Sequence, residues 1–162
     1  MRAVMNGVMK AVRMEPVPPG EGSPRPERGR VETTVALDGK SGCIAGAREL
    51  TGAFLTSVQR EHGVPVSART LDLSQLVVSE LVTNALRYAP GPVLLHLRIA
   101  GAAVEIAVWD SEPALPAARE ADPTRVGQHG LEIVMAVAQD VDVVREPVGK
   151  RIVARLGLLD GL

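Results

Sequence analysis

The chain has 162 residues, 46% of them hydrophobic, enough for one globular domain with a core of its own. A formal net charge of −1 supplies no basic field for nucleic acid, and three aromatic residues (Phe54, Tyr88 and Trp109) are too few for a base-stacking platform. The single cysteine, Cys43, excludes an internal disulfide and a multi-cysteine zinc site, and fits a reducing cytoplasm.

The opening segment, MRAVMNGVMKAVRM, lacks the continuous apolar stretch of a signal peptide, and no run is long enough to span a bilayer. A soluble, cytoplasmic protein is expected. Residues 1–30 read as a disordered tail, since 14–30 hold five prolines and no apolar period. The folded domain is expected over 31–162. RVETTVALDG predicts a strand with Val31, Thr33, Val35 and Leu37 on one face. Residues 43–61 predict a helix whose apolar side holds Ile44, Ala47, Thr51, Phe54, Leu55 and Val58, capped by Gly63. A second helix is expected from about Ser67 to Ala89, stopped by Pro90-Gly91, with a possible break between Thr70 and Leu73. Its apolar stripe reads as Leu73, Leu76, Val77, Leu81, Ala85 and Tyr88, which leaves Val82 and Leu86 on a solvated back.

Two alternating strands follow, joined by a turn at Gly101-Ala102. Val93, Leu95, Leu97 and Ile99 share a face of the first; Val104, Ile106, Val108 and Asp110 share a face of the second. Residues 111–130 lack periodicity and read as a long loop, which in a compact domain is usually functional. A short helix opens after Gly130, and VDVVRE and RIVARLGL close the chain as a hairpin with Ile152, Ala154 and Leu156 inward. This order predicts an α+β fold: a two-layer sandwich with helices on one face of a mixed or antiparallel sheet.

Three polar side chains fall on faces that should be apolar: Glu80, Asn84 and Asp110. Burying them without partners is costly, so each implies a partner. A strand-end carboxylate can accept from an exocyclic amine, an amide oxygen can ligate Mg²⁺, and a neighbouring glutamate can take a proton from a hydroxyl. Gly127 and Gly130 flank a helix start, where free N–H groups favour an anion. Together these residues sketch a site for a nucleoside triphosphate and its metal. Singly they admit plainer readings: structural polar residues for Glu80 and Asn84, a turn cap for Asp110, a helix-start glycine for Gly130. Gly149-Lys150 is no P-loop, because Val144 stands where the first glycine is needed.

ELVTNA, then VWD, GQHGLEIV and VGKRIVARL, in that order over about residues 31–157, resemble the GHKL, or Bergerat-fold, ATP-binding domain. The nearest likeness is to stand-alone anti-sigma-factor serine/threonine kinases and their actinobacterial ATP-binding relatives. The resemblance implies Glu80 as general base, Asn84 as the Mg²⁺ ligand and Asp110 as the acceptor of the adenine amine. It implies a phosphate contact for Arg87, though a solvated helix-end arginine accounts for that residue equally well. Tyr88 falls where an aromatic packs near the nucleotide. Residues 111–129 would form a lid over ATP, with Gly127, Gly130 and Leu131 at its glycine-rich end. A sigma factor or small antagonist protein as partner, and a homodimer, are likewise implied. The chain departs from the pattern at Gln128, where relatives carry glycine, and at Arg151, where they carry threonine. The kinase reading thus stands beside that of a nucleotide-dependent module that sequesters a regulator without turnover; the intact Glu80 favours the first, and Gln128 and Arg151 the second.

Overall fold

A computed structural model of the chain describes residues 11–13, 31–40, 42–88, 92–110, 130–147 and 149–160, with 11–13 and Tyr88 described by their backbone alone. Its elements in chain order are β1 (Ala11–Arg13), β2 (Glu32–Leu37), α1 (Cys43–His62), α2 (Ala68–Tyr88), β3 (Val93–Ala100), β4 (Ala103–Asp110), α3 (Gly130–Val137), β5 (Asp140–Arg145) and β6 (Lys150–Gly157). The strands form one sheet in the order β1-β5-β6-β4-β3-β2. Every neighbouring pair is antiparallel except β1 and β5, which run parallel. The expected two-layer α+β sandwich is what the chain forms. One departure is β1, a three-residue strand inside the segment read as a tail; the rest of 1–30 lies outside the described residues, as does the loop 111–129.

All three helices cover one face of the sheet. α2 is the middle helix, touching α1, α3 and strands β3, β4 and β6. Period two gives the sheet its covered face: Val93, Leu95 and Leu97 from β3, Val104, Ile106 and Val108 from β4, Val141 and Val143 from β5, and Ile152, Ala154 and Leu156 from β6 are buried together. From the helices, Ala47, Leu55 and Val58 of α1 and Val77, Leu81 and Ala85 of α2 complete the core. Gly63 ends α1 in the left-handed region at φ 65°, its N–H bonding the Val58 carbonyl.

α2 differs from its reading in two ways. It is continuous from Ala68, because Ser67 caps it: the Thr70 N–H donates to Ser67 Oγ at 3.0 Å, and Thr70 Oγ1 donates to the Gly157 carbonyl at 2.7 Å. No break is needed between Thr70 and Leu73. Its back is not solvated either: Val78 and Val82 are fully buried and Leu86 packs against the core. The true stripe is Ser74, Val77, Val78, Leu81, Val82 and Ala85, and it places Glu80 and Asn84 on its flank.

The opposite sheet face is polar. Glu32, Arg98, Glu105, Arg155 and Asp140 lie in one cross-strand row over five strands, alternating in charge. Glu105 accepts from Arg98 Nε at 3.1 Å and from Arg155 Nη2. Burial alone would raise the Glu105 carboxyl, but the hydrogen bonds and charges of Arg98 and Arg155 outweigh it and hold it below its ordinary value. Among the described residues no helix is long and apolar enough to cross a membrane.

Candidate functional site

The polar residues that the sequence singles out lie on the second half of α2, at the start of α3 and at the end of β4. β3 begins where β4 ends, with Leu94 opposite Trp109, so the chain leaving α2 enters the sheet beside Asp110. The start of α2 is tied to the other end, where the Ser67 N–H bonds the Leu158 carbonyl. Glu80 and Asn84 therefore stand on the half of α2 that leads to the Asp110 end.

Glu80 lies against the first residue of α3. A Cβ on Gly130 would sit 2.5 Å from Glu80 Oε2, so only glycine leaves room for the carboxylate there. The position suits its charge, since the N-terminus of a helix carries free N–H groups and a partial positive charge. Gly130 is buried, and Leu131 next to it is in the core, which fixes the start of α3 beside α2.

Asn84, one turn beyond Glu80, is half-buried, and its Nδ2 is enclosed with no hydrogen-bond partner among the described residues. Such an orphan costs roughly 1–3 kcal/mol. A half-turn about the last side-chain torsion exchanges the amide's NH₂ and carbonyl ends, so the same side chain can offer either a donor or a hard oxygen. Arg87 is exposed in the last turn of α2. Tyr88 is the final residue of α2, and Gly127 lies outside the described residues.

Asp110 is buried, at 7% exposure, and directly opposite Lys150 in the β4–β6 ladder. Lys150 Nζ is 3.0 Å from Asp110 Oδ2 and 3.2 Å from Oδ1, and the lysine itself is only 1% exposed. This pair continues the core rows Val108–Ile152, Ile106–Ala154 and Val104–Leu156 to the sheet end. Lys150 is the residue that sequence reasoning misses. Its signal is present: the inward alternation of Ile152, Ala154 and Leu156, run back one step, places a lysine on the core face.

Arg151 must be reassigned. It points to the open face, its guanidinium 5.1 Å from the Trp109 ring centroid, and so lies on the opposite face of the sheet from Asp110. The inward position belongs to Lys150.

The residues fit a metal-bound nucleotide in one specific way. Among the described residues no group of three or more His, Cys, Asp and Glu could hold a metal ion. Mg²⁺ needs no such cage: it keeps several waters and binds through one or two protein oxygens plus phosphates. A single enclosed amide one turn from a carboxylate is that kind of donor set.

Among curated proteins none matches the sequence. Residues 46–156 match the family of histidine kinase-like ATPase domains, a span that runs from the fourth residue of α1 almost to the end of β6 and takes in Glu80, Asn84, Asp110, Gly130 and Lys150. The match covers more than half of the chain, and with the two-layer sheet it places the chain in the histidine kinase-like ATPase domain family, the GHKL-type ATP-binding domains.

Proposed function

We propose that the protein is an ATP-dependent serine/threonine protein kinase of the anti-sigma-factor type, acting in the cytoplasm as a homodimer on a small antagonist protein. The observation that carries this is the Glu80 carboxylate held against Gly130 at the start of α3, one turn from the enclosed Asn84 amide. Asp110 supplies the acceptor for the adenine amine. Asn84 is the residue that would hold Mg²⁺, which when bound neutralises phosphate charge and shields the attacking oxygen from repulsion. Glu80 accepts the proton of the incoming Ser or Thr hydroxyl as its oxygen bonds to the γ-phosphorus and the bond to the ADP oxygen breaks. The work asked of the protein in such a transfer is positioning and charge stabilisation.

A module that only sequesters its partner draws support from Gln128, not from Arg151, which faces away from the site. The two readings separate in one experiment. γ-labelled Mg·ATP is incubated with the protein and a candidate small antagonist-domain protein. Label transfer that falls at least a hundredfold in Glu80→Ala, roughly the contribution of a general base, is the kinase outcome. Nucleotide binding without transfer in the wild type is the outcome for a sequestering module.

A further inference from the structure

β2 closes the sheet on one side, and among the described residues no strand lies beyond it. Its register with β3 runs from Glu32 to Leu37 without a bulge. Sheet edges are usually blunted by proline, lysine, a bulge or a covering element, and ETTVAL contains neither proline nor lysine. The Ile99 N–H donates to the Val31 carbonyl at 2.9 Å, which sets the phase of the ladder. Bonded and non-bonded pairs alternate between antiparallel strands, so residues 33, 35 and 37 bond to β3, while the N–H and C=O groups of Glu32, Thr34 and Ala36 turn outward. All three of these residues are exposed. The edge is a row of main-chain donors and acceptors laid out for another strand.

We infer that the other strand is β2 of a second copy, paired antiparallel about a two-fold axis that passes through Thr34 perpendicular to the sheet. This rests on the homodimer in the reading given above and supplies its surface. In that register β2 is complementary to itself. Thr34 meets its own copy, a favourable cross-strand pair, and Glu32 faces Ala36, so no two like charges stand opposite each other. Sliding the strands until Thr34 faces Ala36 would set Glu32 against Asp38, and the opposite slide carries Ala36 past the start of the other strand. A perpendicular axis also keeps the helices of both copies on one face, which brings α1 beside its counterpart. Between α1 and β2 runs a groove lined by Val31, Thr33, Leu50, Ala53, Phe54 and Ser57, where Leu50 and Phe54 are only half-buried. The second copy covers this groove and its two large apolar side chains.

The test joins sedimentation of the full chain to amide hydrogen exchange followed by NMR. Wild type is expected to sediment at twice the chain mass, with the Thr34 and Ala36 amides exchanging at least about tenfold more slowly in the dimer than after dilution to monomer. Thr34→Pro removes one outward N–H and no bond between β2 and β3, so it should fold, bind ADP as wild type does, and sediment as a monomer. A wild type that is monomeric at every concentration overturns the inference together with the homodimer, and leaves the nucleotide and kinase readings standing. A dimer in which the Thr34 and Ala36 amides exchange freely, or a Thr34→Pro protein that stays dimeric, overturns the β2 edge and leaves the homodimer standing. The exchange measurement on wild type decides the matter even where the variant does not fold. Failure of phosphotransfer bears on the kinase reading alone.

Discussion

Gly130 and Glu80 are a pair in which one residue's lack of a side chain sets the place of the other. A methyl group at 130 would meet the tip of a flexible side chain, not backbone, so Gly130→Ala should fold with little loss of stability. Glu80 would have to swing away from α3. The expected result is a Tm close to wild type, nucleotide binding retained, and phosphotransfer reduced toward the level of Glu80→Ala. Asn84 gives the complementary case. Its Nδ2 is enclosed without a partner among the described residues, so Asn84→Ala removes an unsatisfied polar group, and thermal unfolding should show an unchanged or higher Tm, by up to about 2–4 °C per kcal/mol recovered. A large loss of stability would mean that the amide is structural. At this scale the sequence was most informative at Asp110, a polar residue on the inward face of β4 that is buried there, whereas Glu80 and Asn84 were read within an apolar stripe that lies elsewhere on α2 and leaves them on its flank. Lys150 obeys the same rule and was obscured by the glycine before it, which draws attention to phosphate loops instead.

Each helix and strand from β2 onward could be read from periodicity and punctuation, α1 ending at Gly63 and α2 beginning after Ser67. What periodicity could not supply was the number of neighbours around α2. A helix resting on one surface has a solvated back; α2 has α1 on one side, α3 on the other and the sheet beneath. Val82 separates the two cases sharply. On a solvated back, Val82→Ala would change stability by no more than about 0.5 kcal/mol, whereas at a fully buried site it should cost roughly 2 kcal/mol in denaturant unfolding. The continuity of α2 had a signal, the Ser67 hydroxyl at the N-cap with its N3 partner Thr70. Ser67→Ala should lower stability by about 1 kcal/mol. The parallel strand β1 had no comparable signal, because three residues are too short to establish a period of two.

Across the whole molecule, the two faces of one sheet divide the labour. The covered face is apolar up to Asp110 and Lys150, while the open face carries Glu32, Arg98, Glu105, Arg155 and Asp140 in alternating sign. A one-residue slip of any strand would bring these charges into the core, so the row also fixes register. Glu105 at its centre titrates below its ordinary value of 4.5, and the sign follows from that. The unfolded chain binds the proton more readily, so this carboxylate stabilises the fold above pH 4.5, and the contribution is lost as pH falls through the folded value. Wild type should therefore exceed Glu105→Gln in unfolding free energy at neutral pH, and the two curves should converge in acid. A constant gap down to low pH would show that the difference does not arise from the charge.

The most direct measurement is a calorimetric titration of the full chain with ADP, with and without Mg²⁺, for wild type and Asn84→Ala. Saturable binding of one nucleotide per chain is expected, strengthened by the metal in wild type and unaffected by it in the variant. No binding by a folded wild type, or the same metal dependence in both proteins, would contradict a nucleotide site built on α2, α3 and the end of β4.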